Sequence, residues 1–173
     1  ADGSGVVRVA RTPGIAEAIN AVAPSLSVVE VDVAGPPTSA AVRGAGWVEA
    51  AIAVAAATGA DWVVAPNGAR ARATVGDVVH VEVECGEPLD DIVLRSYCIG
   101  AAHMALGWVR NEAIVVNAAG EPLDITVRSM GVLRAVDTPP IEVQVLPSTV
   151  PAVNGSDAVF AAVALAAWRA EGF

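Results

Sequence analysis

The fold turns on one stretch: Ile141-Glu142-Val143-Gln144-Val145-Leu146, then the proline-rich loop 147–151, the link Val153-Asn154-Gly155-Ser156-Asp157, and the run Ala158-Val159-Phe160-Ala161-Ala162-Val163-Ala164-Leu165-Ala166-Ala167-Trp168. Ile141, Val143 and Val145 alternate with Glu142, Gln144 and Leu146, the period of two expected of a strand with one buried face. Ser156 is a good helix N-cap, and Asp157 sets a carboxylate in the first turn, where it complements the helix dipole. Strand, glycine-containing loop and helix therefore succeed one another. Such corners gather binding groups because backbone N–H groups lack partners there.

Outward from this stretch, composition bounds the rest. A chain of 173 residues buries a sizeable core, and a single compact domain over 1–173, or two packed halves at 1–68 and 69–173, is expected. Apolar residues are 54% and charged residues 17%, which excludes disorder, while aromatics are only 4%, so the core must be Ala and Val at close approach. The net charge is −9 and every basic residue is Arg, with no Lys. Without a basic stripe, nucleic-acid binding is not expected. Cys85 and Cys98 have no CxxC spacing and read as buried thiols in a reducing compartment. No charged-then-apolar leader opens the sequence. The longest apolar runs, 50–57 and 158–168, are too short and too Ala-rich to cross a bilayer. These features predict a soluble, cytoplasmic protein with no membrane partner.

Along the chain, residues 5–9 suit a strand, Thr12-Pro13-Gly14 a break, and residues 15–23 a short helix stopped by Pro24. Residues 27–33 alternate, with Val29, Val31 and Val33 on one side and Glu30 and Asp32 on the other. Residues 35–39 form a loop, and 47–58 a second helix ended by Gly59. Trp62-Val63-Val64 is a brief extension before the Pro66-Asn67-Gly68 turn. This order predicts helices packed on a mixed sheet. Residues 79–84 alternate as a strand running into Cys85-Gly86, 90–106 read as a third helix, and 112–117 with 123–127 as a hairpin about Ala119-Gly120-Glu121-Pro122. The expected fold class is α+β: a two-layer mixed sheet covered largely on one face by Ala-rich helices.

Beyond periodicity, the carboxyl-terminal part resembles the end of the molybdopterin-binding large subunit of the molybdenum hydroxylases (xanthine, aldehyde and carbon monoxide dehydrogenases). The residues that carry the resemblance are Leu133, Asp137-Thr138-Pro139-Pro140-Ile141-Glu142-Val143, Gly155, Asp157 and the run from Ala158. Glu84-Cys85-Gly86 is similar to the family's Val-Asp-Cys-Gly, and Ile99-Gly100-Ala101-Ala102 with Leu106-Gly107 to its Glu-Gly-Gly and Gly-Leu pattern. The family's glycine-rich turn is replaced here by Thr12-Pro13-Gly14, its Ser-Arg by Val42-Arg43, and the Glu of its Glu-Gly-Gly is missing. Those replacements argue against a complete cofactor site.

The resemblance implies a molybdenum cofactor-binding-domain-like fold and site residues. Asp157 stands near the family's glutamate base, with a helix-start acid as the plainer reading. Arg43, Arg134, Asn154, Gly155 and Ser156 are the candidates for holding the cofactor, the arginines through phosphate or carboxylate, although either could simply pair with a nearby acid. His80 reads as a solvated histidine on an acidic strand face and His103 as a buried, satisfied one. Two histidines and two separated cysteines give no metal site of recognisable spacing. The function implied is a xanthine or carbon monoxide dehydrogenase-like oxidoreductase subunit or fragment, with molybdopterin bound if that function is retained. The alternative is a degenerate, non-catalytic relative that binds or assembles with dehydrogenase subunits of the flavin and iron–sulfur type, or with copies of itself.

Overall fold

The computed structural model describes residues 2–35, 39–42 and 46–172. At its centre lies helix α4 (Ser156–Ala170), ten of whose fifteen residues are buried, including the unbroken run 158–165. A helix apolar on every side needs neighbours on every side. Helix α3 (Asp91–Arg110), strands β4 (Arg70–Val75) and β5 (Val79–Glu84), and helix α2 (Gly46–Thr58) supply them. Ala158, Ala161, Ala162, Ala164 and Ala167, all at most 2% exposed, keep the approach close. The α3 face turned to this core is small-residue too, with Cys98, Ala101, Ala102, Ala105 and Leu106 fully buried.

The sheet beneath α4 runs β3 (Val63–Val64), β4, β5, β6 (Ile141–Val145), antiparallel between the first three and parallel between β5 and β6. Register pairs Val79 with Ile141 and Val83 with Val145. The parallel step is made by a crossover through α3, as parallel neighbours require. Ala71, Val79, Val81 and Val83 point into the core. The opposite face is charged and paired: Arg70 with Glu84 at 2.6 Å, Arg72 with Glu82 at 2.8 Å, His80 with Glu142 at 3.1 Å. Trp62 lies against both arginines, 5.0 and 5.2 Å from ring centroid to guanidinium. The sheet is thus mixed, with α3 and α4 on one face, as expected.

The amino-terminal part departs from expectation. Strands β1 (Gly5–Ala10) and β2 (Leu26–Val31) flank helix α1 (Ile15–Val22) and pair parallel in a separate two-stranded sheet, rather than joining the larger one. Their inner faces, Val7, Val9, Leu26 and Val28, pack on the core, whereas Val29 and Val33 turn outward. Arg11 closes the end of this sheet through Glu30 at 2.9 Å and Asp32 at 2.7 Å. β3 lies before position 68 yet pairs with β4 beyond it.

Two further readings need correcting. The hairpin expected over 112–127 is reduced to its tip. Only an isolated bridge, Val116 with Pro122, forms around a turn in which the Asn117 side chain accepts from the N–H groups of Ala119 and Glu121. Ile114, Val115, Val116, Leu123, Ile125 and Val127 carry the strand pattern but are exposed, with no sheet or helix face to pack upon. A two-stranded ribbon without a buried face is marginal. The second correction concerns Ser156. It is buried rather than an N-cap, and α4 starts after Gly155 without a side-chain cap from it. Asn154 does the equivalent work, its Oδ1 accepting from Ser156 N at 3.0 Å and Ser156 Oγ at 2.8 Å.

Candidate functional site

Where β5 ends, the chain makes its tightest approach to the loop before α4. Leu146 N donates to Val83 O at 2.8 Å, Val153 N to Cys85 O at 2.9 Å, and Glu87 N to Val150 O at 2.9 Å. Gly86 takes φ +84°, and a Cβ there would overlap the Pro151 carbonyl oxygen and lie 2.7 Å from its carbon. Gly155 faces it from the other strand of the crossing, where a Cβ would stand 2.9 Å from Cys85 Sγ and 3.0 Å from Val83 Cγ2. Both glycines are demanded by approach distance, Gly86 also by its left-handed conformation. Asn67, in the β3–β4 turn, ties the corner down by donating Nδ2 to Asn154 O at 2.8 Å.

Beside this corner opens a cleft of about 300 Å³, lined by Cys85, Leu89, Asp90, Val93, Tyr97 and Asn154 among others. Tyr97 is exposed at its mouth, and Cys85 is 3% exposed at its floor. Burial pushes the Cys85 thiol up from its ordinary value, so it is a neutral thiol at pH 7 and a poor nucleophile. Asp90 is occupied as the α3 N-cap, its Oδ1 accepting from Ile92 N at 2.9 Å and Val93 N at 3.0 Å. The cleft can hold a small apolar body but offers little for proton transfer. At pH 8, iodoacetamide is expected to label Cys85 and Cys98 only as the fold opens, roughly a hundredfold or more slower than in denaturant. Labelling followed by mass spectrometry measures this.

The sequence-predicted site residues fall in two places. Asn154, Gly155, Ser156 and Asp157 meet at the start of α4, against Cys85. Asp157 is half-buried in the first turn and not without a partner. Arg134 is elsewhere: the Leu133 carbonyl beside it accepts from His103 Nε2 at 3.0 Å. That level of α3 is roughly 20 Å along the helix from Asp90 at 1.5 Å per residue. Arg134 forms a bidentate pair with Asp137, at 2.5 and 3.0 Å, which holds the Asp137 carboxyl below its usual range. Arg43 lies outside the described residues. Sequence reasoning missed Asn67, Tyr97 and the capping by Asn154. Asn67 was legible only as a turn residue, and nothing in the local pattern marks Tyr97.

No family model matches the chain, and no curated protein matches it either. Among solved structures, quinoline 2-oxidoreductase from Pseudomonas putida 86 is similar over 57% of this chain and 14% of its own, with 18% identity and a TM-score of 0.47. The Cu,Mo-CO dehydrogenase in its carbon monoxide reduced state is similar over 94% of this chain and 32% of its own, with 10% identity and a TM-score of 0.43. The chain is thus similar to each of these two proteins over part of its length. It spans about a seventh and about a third of the lengths of these two chains.

The described residues do not fit molybdopterin. A phosphate-bearing cofactor needs cations and N–H donors that face it. Arg134 is committed to Asp137, Ser156 N and Oγ to Asn154, and the space at Gly155 is filled by Cys85 and Val83. Among the described residues, no three His, Cys, Asp or Glu side chains are grouped to hold a metal ion.

Proposed function

We propose that this chain is a molybdenum-hydroxylase large-subunit-like component that acts by packing against other polypeptide, as a non-catalytic binding or assembly partner of dehydrogenase subunits of the flavin and iron–sulfur type. The observation that carries this reading is apolar surface of the kind a core covers. Val6 on the back of the β1–β2 sheet is 68% exposed, Ile92 on the outer side of α3 is 81% exposed, and Ile125 and Val127 are 71% and 70% exposed. Parallel strands are ordinarily buried on both faces, yet here the outer face of β1 and β2 meets solvent. Helix α3, 20 residues long, has length and composition enough to cross a membrane, with mean hydropathy 1.3 over an 18-residue window, although one side packs on α4 and β6.

An active oxidoreductase subunit or fragment is the second reading, favoured by the half-buried Asp157 in the turn that opens α4. The two readings separate experimentally. Co-expression with flavin and iron–sulfur dehydrogenase subunits of the same host should yield a complex in which hydrogen exchange slows at 92–104 and 114–127. Asp157→Asn should leave any turnover of that complex within about twofold and lower stability by roughly 0.5–1 kcal/mol, the worth of a helix-start charge. Loss of turnover by two orders of magnitude or more would establish Asp157 as the base instead.

A further inference from the structure

A second cleft, also about 300 Å³, lies between α2, α3 and α4, at the carboxyl-terminal ends of the latter two. Its walls are the indole rings of Trp108 and Trp168, its floor is Ile52, Val109 and Ala164, and Glu49 stands at its rim. Trp108 is held by Phe160, ring centroids 5.4 Å apart and tilted by 37°. The volume is at the lower end of small-molecule sites, and the lining is the usual apolar one with a single polar group.

Charge selects the occupant. The last turns of α3 and α4 border the cleft, and helix carboxyl-terminal ends carry partial negative charge. The two nearby cations are already engaged: Arg110 Nε meets Glu171 Oε1 at 3.0 Å. Arg169 reaches Asp61 at 3.2 Å and donates to the carbonyls of Ala55 and Ala60 at 3.1 and 3.0 Å. None of the ion pairs among the described residues uses Glu49. Indole faces attract cations, most of all where water is excluded, and the net charge of −9 adds a long-range pull. We propose that this cleft binds a small organic cation with an apolar body, an aryl- or alkylammonium, seated between Trp108 and Trp168 with its charge toward Glu49. This site is distinct from the Cys85 corner and independent of the assembly reading.

Benzyltrimethylammonium is a suitable probe, with benzenesulfonate and benzyl alcohol as anionic and neutral controls, followed in nitrogen–proton spectra of the full chain. The indole N–H signals of Trp108 and Trp168 should move, and those of the buried Trp47 and the arginine-flanked Trp62 should not, with a Kd on the order of 1 mM or tighter, as expected of a ligand this small. Glu49→Gln should weaken the cation by about threefold to tenfold and leave benzyl alcohol unchanged. Trp168→Phe, which keeps the wall, should retain binding, and Trp168→Ala should reduce it at least about tenfold. Equal binding of benzenesulfonate, or shifts spread over all four indoles, would overturn the proposal. So would a cleft closed by self-association, seen as a dimer that Trp168→Ala dissociates while no probe binds.

Discussion

Replacing Gly86 with alanine should lower the melting temperature by on the order of 10 °C. Two costs combine. Gly86 sits at φ +84°, a conformation that costs an L side chain about 1–2 kcal/mol. The new Cβ also meets the backbone of Pro151, which unlike the tip of a flexible side chain cannot swing aside. Relief requires the loop to withdraw, losing the hydrogen bonds Val153 N to Cys85 O and Glu87 N to Val150 O, each worth about 1 kcal/mol. The sum is about 3–4 kcal/mol, and each kcal/mol moves the midpoint about 2–4 °C in a chain this long. Gly68→Ala is the control: φ is +88° but nothing lies within 4 Å of the added Cβ, so only the conformational cost of about 1–2 kcal/mol remains. Thermal melts of both variants by circular dichroism measure the difference. Equal shifts would mean that the corner is not the close approach described.

Phe160→Ala should cost about 3–5 kcal/mol, the range for emptying a buried aromatic site. Phe160 is 4% exposed in α4 and its ring packs on Trp108, so the cavity opens at the α3–α4 seam. Because α4 also touches α2, β3, β4 and β5, the loss should be felt across the fold as one cooperative transition at a lower midpoint. The near-ultraviolet signal of Trp108 should weaken in the native baseline. Phe160→Leu, which keeps most of the volume, should cost about 1.5 kcal/mol or less. Denaturant melts give both values, and a Phe160→Ala loss below about 1 kcal/mol would place α4 at the edge of the core instead of its centre.

How far the sequence carries depends on the element. β5 and β6 were legible because Val79, Val81, Val83 and Ile141, Val143, Val145 are β-branched at a period of two. α4 was legible because its apolar run is too long for a strand. β4 was not: Arg70-Ala71-Arg72-Ala73 alternates, but Ala and Arg have little strand preference, and the alternation gains meaning only beside Glu82 and Glu84. The apolar residues over 114–127 misled in the opposite direction, since pattern alone does not say whether a face exists to bury them. At the site, Cys85-Gly86 and Gly155 could each be singled out, but not that they fill one another's space. Ser156 suits an N-cap by residue type, whereas Asn154 offers the same acceptor nearer the corner. The resemblance groups Arg134 with Asp157 in chain order, whereas the fold sets Arg134 beside the second half of α3.

The start of α4 is a structural lock between Cys85-Gly86 and 150–155, and its described groups are engaged with one another rather than turned to molybdopterin. The most direct test is the molybdenum and pterin content of the chain expressed alone in a host that makes the cofactor, by elemental analysis and pterin fluorescence. Less than about one cofactor per ten chains is predicted, since Arg134 is paired with Asp137 away from the corner and Ser156 N and Oγ are taken up by Asn154. A content near one per chain, lost on Asp157→Asn or on changes at Asn154, would contradict the account.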